Sequence, residues 1–271
     1  MSGSVQEAEV LLEREDGVAI VTLNRPERLN ALASPIMRLL RDITAEVAAD
    51  PAVGCVVLTG AGRGFCAGGD IKEERPPVEV DPALGGRVEQ SFARLRGFFE
   101  TSRLLHEMTK PTIAMLNGPV AGAGIGLAGA CDLRFASTTA TFVSAFDRIG
   151  ASGDFGATWF WTKILGTGAA RELFFLGEKL SAEEALRRGV YTRVYPEAEL
   201  RSATLAAARK LAAGPRMGWR YMKANLNLAE DAAFEAVLDQ EALYMGLSTS
   251  ATALINKVGK APGAPGARGS Q

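Results

Sequence analysis

An α/β core followed by a helical C-terminal region is the fold class that this sequence predicts, and three observations predict it. Short β-branched runs alternate with helical patterns as far as residue 195, and the stretch after it is helical almost throughout. Two glycine-rich turns, 62–73 and 117–124, each follow a strand-like run and lead into a segment that can be helical.

In chain order, residues 9–15 and 18–23 read as two strands joined at Asp16-Gly17, a hairpin signal. Residues 24–28 form a turn. Ser34 as N-cap and Pro35 at the first helical position then open a helix through residue 48. The apolar run 53–59 is a strand of the buried, parallel kind. Residues 75–86, rich in Pro and Gly, read as a mobile loop. A helix over 88–108, a buried strand over 112–116 and a short helix ending near 130 come next, then strands over 132–136 and 140–143. Helical patterns fill 158–176 and 182–188, and 190–195 is the last strand. From 197 to 248 the pattern is helical, interrupted at Gly214-Pro215. The expected division is therefore a core over 1–196, a helical region over 197–258 and a disordered Gly/Pro/Ala-rich tail over 259–271.

Bulk properties exclude several function classes. The chain has 271 residues, 47% hydrophobic and 23% charged, which is ordinary for a globular protein with a large core. A formal net charge of −1 gives no support for nucleic-acid binding. Apolar runs such as 113–116 are far too short to span a bilayer, and the N-terminus shows no signal peptide, so no membrane partner is expected. Three cysteines (Cys55, Cys66, Cys131) in apolar or glycine-rich settings suit a reduced, cytoplasmic protein. His106 is the only histidine, which excludes His-rich metal sites and makes a Ser-His-Asp triad hard to build; no metal is expected. Within Leu104–Met108 it reads as structural.

The two glycine turns carry the chemistry. Such turns point backbone N–H groups at one spot, where they can hold a developing oxyanion, and side chains would obstruct that approach. The alternative is that they merely connect strands to helices. Gly124-Ile125-Gly126-Leu127-Ala128-Gly129 spells a dinucleotide-binding GxGxxG, but it lies mid-chain, its second glycine faces an Ala-rich helix, and no strand-ending acid follows at the expected distance. We therefore read it as a decoy.

Asn24-Arg25-Pro26-Glu27-Arg28-Leu29-Asn30-Ala31-Leu32, Phe65–Glu73 and the stretch from Asn117-Gly118 to Cys131-Asp132 occur in an order and spacing that resemble the crotonase, or enoyl-CoA hydratase/isomerase, superfamily over about residues 8–250. The resemblance implies a spiral of ββα units with a C-terminal helical region that supports homotrimers, often paired into hexamers. It implies acyl-CoA thioester substrates, with coenzyme A as part of the substrate and no separate cofactor. It places the two oxyanion N–H groups on Gly69 and Ala123, and a CoA crescent along Arg28, Leu29, Ala31, Ala67, Asp70, Ile71 and Lys72. From the residues alone, Asp70 also reads as a helix cap and Arg28 as a solvated turn residue. The last helix helps form the CoA site in the family, but this chain's tail departs from that pattern, which sets aside Lys257 and Lys260 as phosphate ligands.

Family hydratases use two glutamates, whose positions here are Gly126 and Phe146. Neither residue can transfer a proton. Residues 150–159 instead resemble the segment in which dienoyl-CoA and ring-1,2-epoxyphenylacetyl-CoA isomerases carry a catalytic aspartate, which matches Asp154. The aromatic surroundings from Phe155, Trp159, Phe160 and Trp161 would strengthen it as a base, although it equally suits an N-cap. Asp147 reads as a second acid or as a surface pair with Arg148, Ser144 and Ser152 as water-positioning groups, and Glu73 and Glu74 as solvent-facing. Trp159 and Trp161 read as core or acyl-pocket lining. The expected activity is double-bond isomerisation of an enoyl-CoA (Δ3-Δ2 or related); the alternatives are a hydratase with non-standard acids and a non-catalytic acyl-CoA-binding protein.

Overall fold

The computed structural model describes residues 8–73 and 85–259. The loop expected over 75–86 (apart from Gly85 and Gly86), Glu74, Lys260 and the tail after residue 259 lie outside the described residues.

β1 (Val10–Glu15) and β2 (Val18–Leu23) form the expected hairpin. Asp16 and Gly17 both take positive φ, 50° and 76°, the backbone that a two-residue turn between right-twisted strands requires. β3 (Cys55–Gly60), β4 (Thr112–Leu116), β6 (Leu133–Ser137) and β8 (Arg193–Tyr195) continue from β2 in parallel, giving a six-stranded sheet in the order β1-β2-β3-β4-β6-β8. β5 (Val120–Ala121) and β7 (Phe142–Val143) form a separate parallel pair. β2, β3 and β4 are buried along their whole length, as strands covered on both faces must be.

α1 (Ser34–Ala49) packs on α2 (Arg87–Glu107), and α2 on the wholly buried α3 (Ala123–Ala130). α1 differs from expectation at its start. Ala33 is the N-cap, Ser34 caps nothing, and the carboxylate of Glu73 accepts the Ser34 N–H at 3.0 Å. Glu73 is thus a cap supplied from another segment, not a solvent-facing acid.

The single helix expected over 158–176 is two, α4 (Ala157–Leu165) and α5 (Thr167–Leu176), because Gly166 breaks the path at φ 79°. β8 is shorter than the expected 190–195. The N–H groups of Val190 and Tyr191 bond back to the Ala185 carbonyl of α6 (Ala182–Arg187), which leaves fewer residues for the sheet.

α7 (Glu197–Ala212) packs against the sheet strands, so the first compact unit runs to Gly214 instead of ending near residue 196. The second unit begins at Pro215 and contains α8 (Arg216–Ala229) and α9 (Phe234–Gly259). Between these two helices Tyr221 stacks on Tyr244, 4.5 Å apart, beside a cavity of about 520 Å³. No helix among the described residues is long and apolar enough to cross a membrane.

Candidate active site

The two glycine turns lie side by side. Phe65 and Cys66 donate to the Pro119 carbonyl at 3.1 and 3.3 Å, and Ala121 donates to the Cys66 carbonyl at 2.9 Å. Gly68 (φ 97°) and Gly122 (φ 50°) face each other across this seam. A Cβ on Gly68 would sit 3.1 Å from the Ala121 carbonyl oxygen and 3.4 Å from the Ala123 nitrogen, so only glycine lets the two backbones approach this closely.

Gly69 sits in an isolated parallel bridge with Leu32. Leu32 donates to the Gly68 carbonyl at 2.8 Å and Asp70 donates to Leu32 at 3.0 Å. Because hydrogen-bonding groups alternate along an extended chain, the Gly69 N–H is turned away from Leu32. The space beside Gly69 is open: an ideal Cβ there meets nothing within 4 Å. Ala123 is the first residue of α3 after the N-cap Gly122, and N–H groups in a helix's first turn lack an intrahelical acceptor.

Asp154 lies on the loop before α4, next to this seam. It does not cap α4 through its side chain. Gly156 is the N-cap, and only the Asp154 backbone carbonyl serves, accepting from Ala157 at 2.9 Å. Asp154 Oδ1 is buried without a hydrogen-bond partner among the described residues, and burial pushes the carboxyl up to about 6. Cys66, in the first glycine turn, has its thiol pushed up to about 12 by burial; the Gly68 N–H opposes this, and the charge of Asp154 adds to it. A Cβ on Gly126 would fall 3.0 Å from the Asp154 carbonyl oxygen and 2.7 Å from Phe155 Cβ, which places Asp154 against α3.

The remaining sequence candidates separate into groups. Ala67 donates to the Leu29 carbonyl at 2.9 Å, and Arg28 reaches Asp70 at 3.1 Å, so Arg28, Leu29, Ala31, Ala67 and Asp70 share one strip of backbone. Ile71, 73% exposed, and Lys72 follow on the open turn. Asp70 is not a helix cap. Its buried carboxylate accepts the Lys72 N–H at 3.0 Å and pairs with both Arg28 and Arg25. Burial alone would raise this carboxyl, but the Lys72 N–H and the Arg28 and Arg25 guanidiniums hold it below the usual carboxylate range.

Arg25 is the residue that sequence reasoning missed. It also donates to the Ala31 carbonyl at 3.2 Å, and its own N–H is taken by Asn30 Oδ1 at 2.8 Å. Asp70→Asn keeps the shape but removes the charge between two guanidiniums, so we expect a loss on the order of 2 kcal/mol in urea unfolding.

Asp147 is exposed, and its carboxylate lies where a Cβ on Gly177 would fall, 2.5 Å from either oxygen. Phe146, at the second glutamate position, is buried and stacks on Phe174 at 5.8 Å. Ser152 is exposed, whereas Ser144 is buried, its carbonyl accepting the Gly122 N–H at 3.1 Å. His106 packs its ring 5.3 Å from both Trp159 and Phe160, and Trp161 is core, donating to the Ile125 carbonyl at 3.0 Å. The GxGxxG glycines serve packing. Cβ atoms there would meet the Cys66 carbonyl oxygen at 2.6 Å (Gly124), Phe155 Cβ at 2.7 Å (Gly126) and Phe160 Cβ at 2.9 Å (Gly129).

Comparison with known proteins identifies the family. The Enoyl-CoA hydratase/isomerase family profile matches residues 13–253. The chain is 37% identical over 240 residues to the 1,2-epoxyphenylacetyl-CoA isomerase of Escherichia coli (strain K12), covering 88% of this chain and 89% of the relative. It is 35% identical to 4-chlorobenzoyl coenzyme A dehalogenase-2 of Arthrobacter sp, over 76% of this chain and 73% of that one. Among solved structures, a Thermobifida fusca YX protein described as an enoyl-CoA hydratase, in complex with CoA, superposes with a TM-score of 0.83 at 27% identity, covering 91% of this chain and 95% of the other. By its glycine seam, its sheet and these matches, the chain belongs to the enoyl-CoA hydratase/isomerase family.

Proposed function

We propose that this protein isomerises the double bond of an enoyl-CoA, with Asp154 carrying the proton. The thioester oxygen accepts hydrogen bonds from the Gly69 and Ala123 N–H groups. The Asp154 carboxylate removes a proton from the carbon between the carbonyl and the double bond. The electron pair delocalises onto the thioester oxygen, and the resulting dienolate is held by the two donors. The same carboxyl then returns its proton at the far end of the dienolate, so that the double bond moves into conjugation with the carbonyl. No water is consumed and atoms balance. Each backbone donor aimed at the enolate oxygen is worth about 3 kcal/mol of transition-state stabilisation. The CoA moiety runs along the strip from Arg28 to Lys72 and is substrate, not cofactor.

One observation carries the reading: the half-buried carboxyl of Asp154 is raised to about 6 by burial, while no side chain fits at Gly126. An acid tuned so close to neutrality both takes and returns a proton efficiently, whereas hydration needs a second group to activate water. The name of the Escherichia coli relative, an acyl-CoA isomerase, and the CoA bound to the Thermobifida fusca neighbour support the substrate class.

The test is to offer a 3-enoyl-CoA and a 2-enoyl-CoA separately. The conjugated product should accumulate from the first, and 3-hydroxyacyl-CoA should form from the second far more slowly. Since the carboxylate is the working form, kcat/KM should fall as pH drops through about 6 and stay level above it. Hydration outrunning isomerisation would overturn the reading.

A further inference from the structure

Asp154 stands on a loop whose backbone is under strain. Gly153, Phe155 and Gly156 all lie in the left-handed half of backbone space, at φ 112°, 48° and 76°. Glycine adopts such angles freely, but phenylalanine crowds its own carbonyl there and remains only where its surroundings force it. Two contacts supply that force. The Phe155 ring, 1% exposed, packs 5.0 Å from Phe99 of α2 at a 55° tilt. On the other side, Phe155 Cβ and its carbonyl oxygen lie 2.7 and 2.9 Å from where a side chain at Gly126 of α3 would begin. The residue is therefore gripped by two helices, and its neighbour in the chain is the proposed proton carrier.

We propose that Phe155 is a positioning residue: braced by Phe99, it holds a backbone angle that phenylalanine otherwise avoids and thereby fixes the Asp154 carboxylate against the glycine seam. This rests on the isomerase reading above and deepens it. A ring whose only role was to fill the core would affect stability and leave the chemical step alone. A ring that aims a base affects kcat, because a misplacement of about 1 Å costs on the order of a hundredfold in rate.

The experiment measures kcat, KM and melting temperature for 3-enoyl-CoA isomerisation by the full chain and its variants. Phe155→Gly keeps the left-handed backbone at no steric cost and deletes the anchor. We expect kcat to fall about a hundredfold with KM within about twofold, and Phe155→Leu, which refills much of the volume, to recover about tenfold of that loss. Folded Phe155→Gly with wild-type kcat overturns the proposal. Should that variant not fold, Phe99→Ala replaces it, with a loss of about tenfold in kcat expected and an unchanged kcat overturning the proposal.

Asp154→Asn, assayed alongside, separates the two readings. If it is inactive while Phe155→Gly is fully active, only the positioning role fails. If it isomerises at the wild-type rate, or if the wild type does not isomerise at all, both fail.

Discussion

Asp154→Asn should reduce enoyl-CoA isomerisation by about a thousandfold or more, the upper range for removing one acid–base group, without lowering stability at pH 8. The first half follows from count: no second carboxyl stands at Gly126 or Phe146, and Asp147 is turned toward Gly177. The second half follows from linkage. Burial raises the folded-state carboxyl to about 6, above its ordinary value of 3.8. Between those two pH values the folded chain holds more protons than the unfolded one, so stability falls as pH rises, and the full cost is present above about 6. That cost is on the order of 3 kcal/mol before partial solvent access reduces it. Asparagine removes the charge and its cost, although its buried amide gives back part of the gain. Thermal melts at pH 5 and pH 8 read this directly, because the wild type should lose stability between them and the variant should not. A variant that retains turnover, or one that melts lower than wild type at pH 8, would contradict the assignment of Asp154 as a half-buried, ionised base.

Much of this site was legible in the sequence because local chemistry encodes it. A glycine turn must follow a buried strand if two backbones are to touch, so Gly68 and Gly122 announce the seam wherever the intervening chain travels. The hairpin at Asp16-Gly17 and the buried parallel strands are local in the same sense. What remained hidden depends on partners distant in sequence. Arg25 reads as an ordinary turn residue until Asp70, 45 positions on, closes on it. Ser34 looks like a self-sufficient cap until Glu73 takes its N–H from the first glycine turn. Asp154 carries an equally good local signal for capping. Only the left-handed turn through Phe155 and Gly156 moves the cap two positions along and leaves the carboxylate unclaimed. Periodicity likewise ran α4 and α5 together, because Gly166 interrupts the backbone without interrupting the apolar pattern.

Gly126→Glu should fail to create a hydratase and should cost more than about 4 kcal/mol, a large fraction of the stability of an ordinary domain. The substitution restores a carboxylate at one of the two positions that family hydratases use, so sequence logic alone would recommend it. Geometry forbids it. The new Cβ would lie 2.7 Å from Phe155 Cβ, 2.9 Å from the Phe155 carbonyl oxygen and 3.0 Å from that of Asp154, and no rotamer change moves any of the three, since two are carbonyl oxygens and the third is a Cβ. α3 is buried along its whole length, so the carboxylate would be desolvated as well as crowded, beside the existing charge of Asp154. Gly126→Ala isolates the steric part and should cost about 1–3 kcal/mol. Relief has to come from the opposing loop: combining Gly126→Ala with Phe155→Gly removes the closest of the three contacts and should recover part of the loss in a double-mutant cycle. If Gly126→Glu instead melts with the wild type and hydrates crotonyl-CoA, then the loop bearing Asp154 yields readily. In that case one acid does not exclude the other, and the separation of isomerase from hydratase in this chain rests on something other than the space between α3 and Phe155.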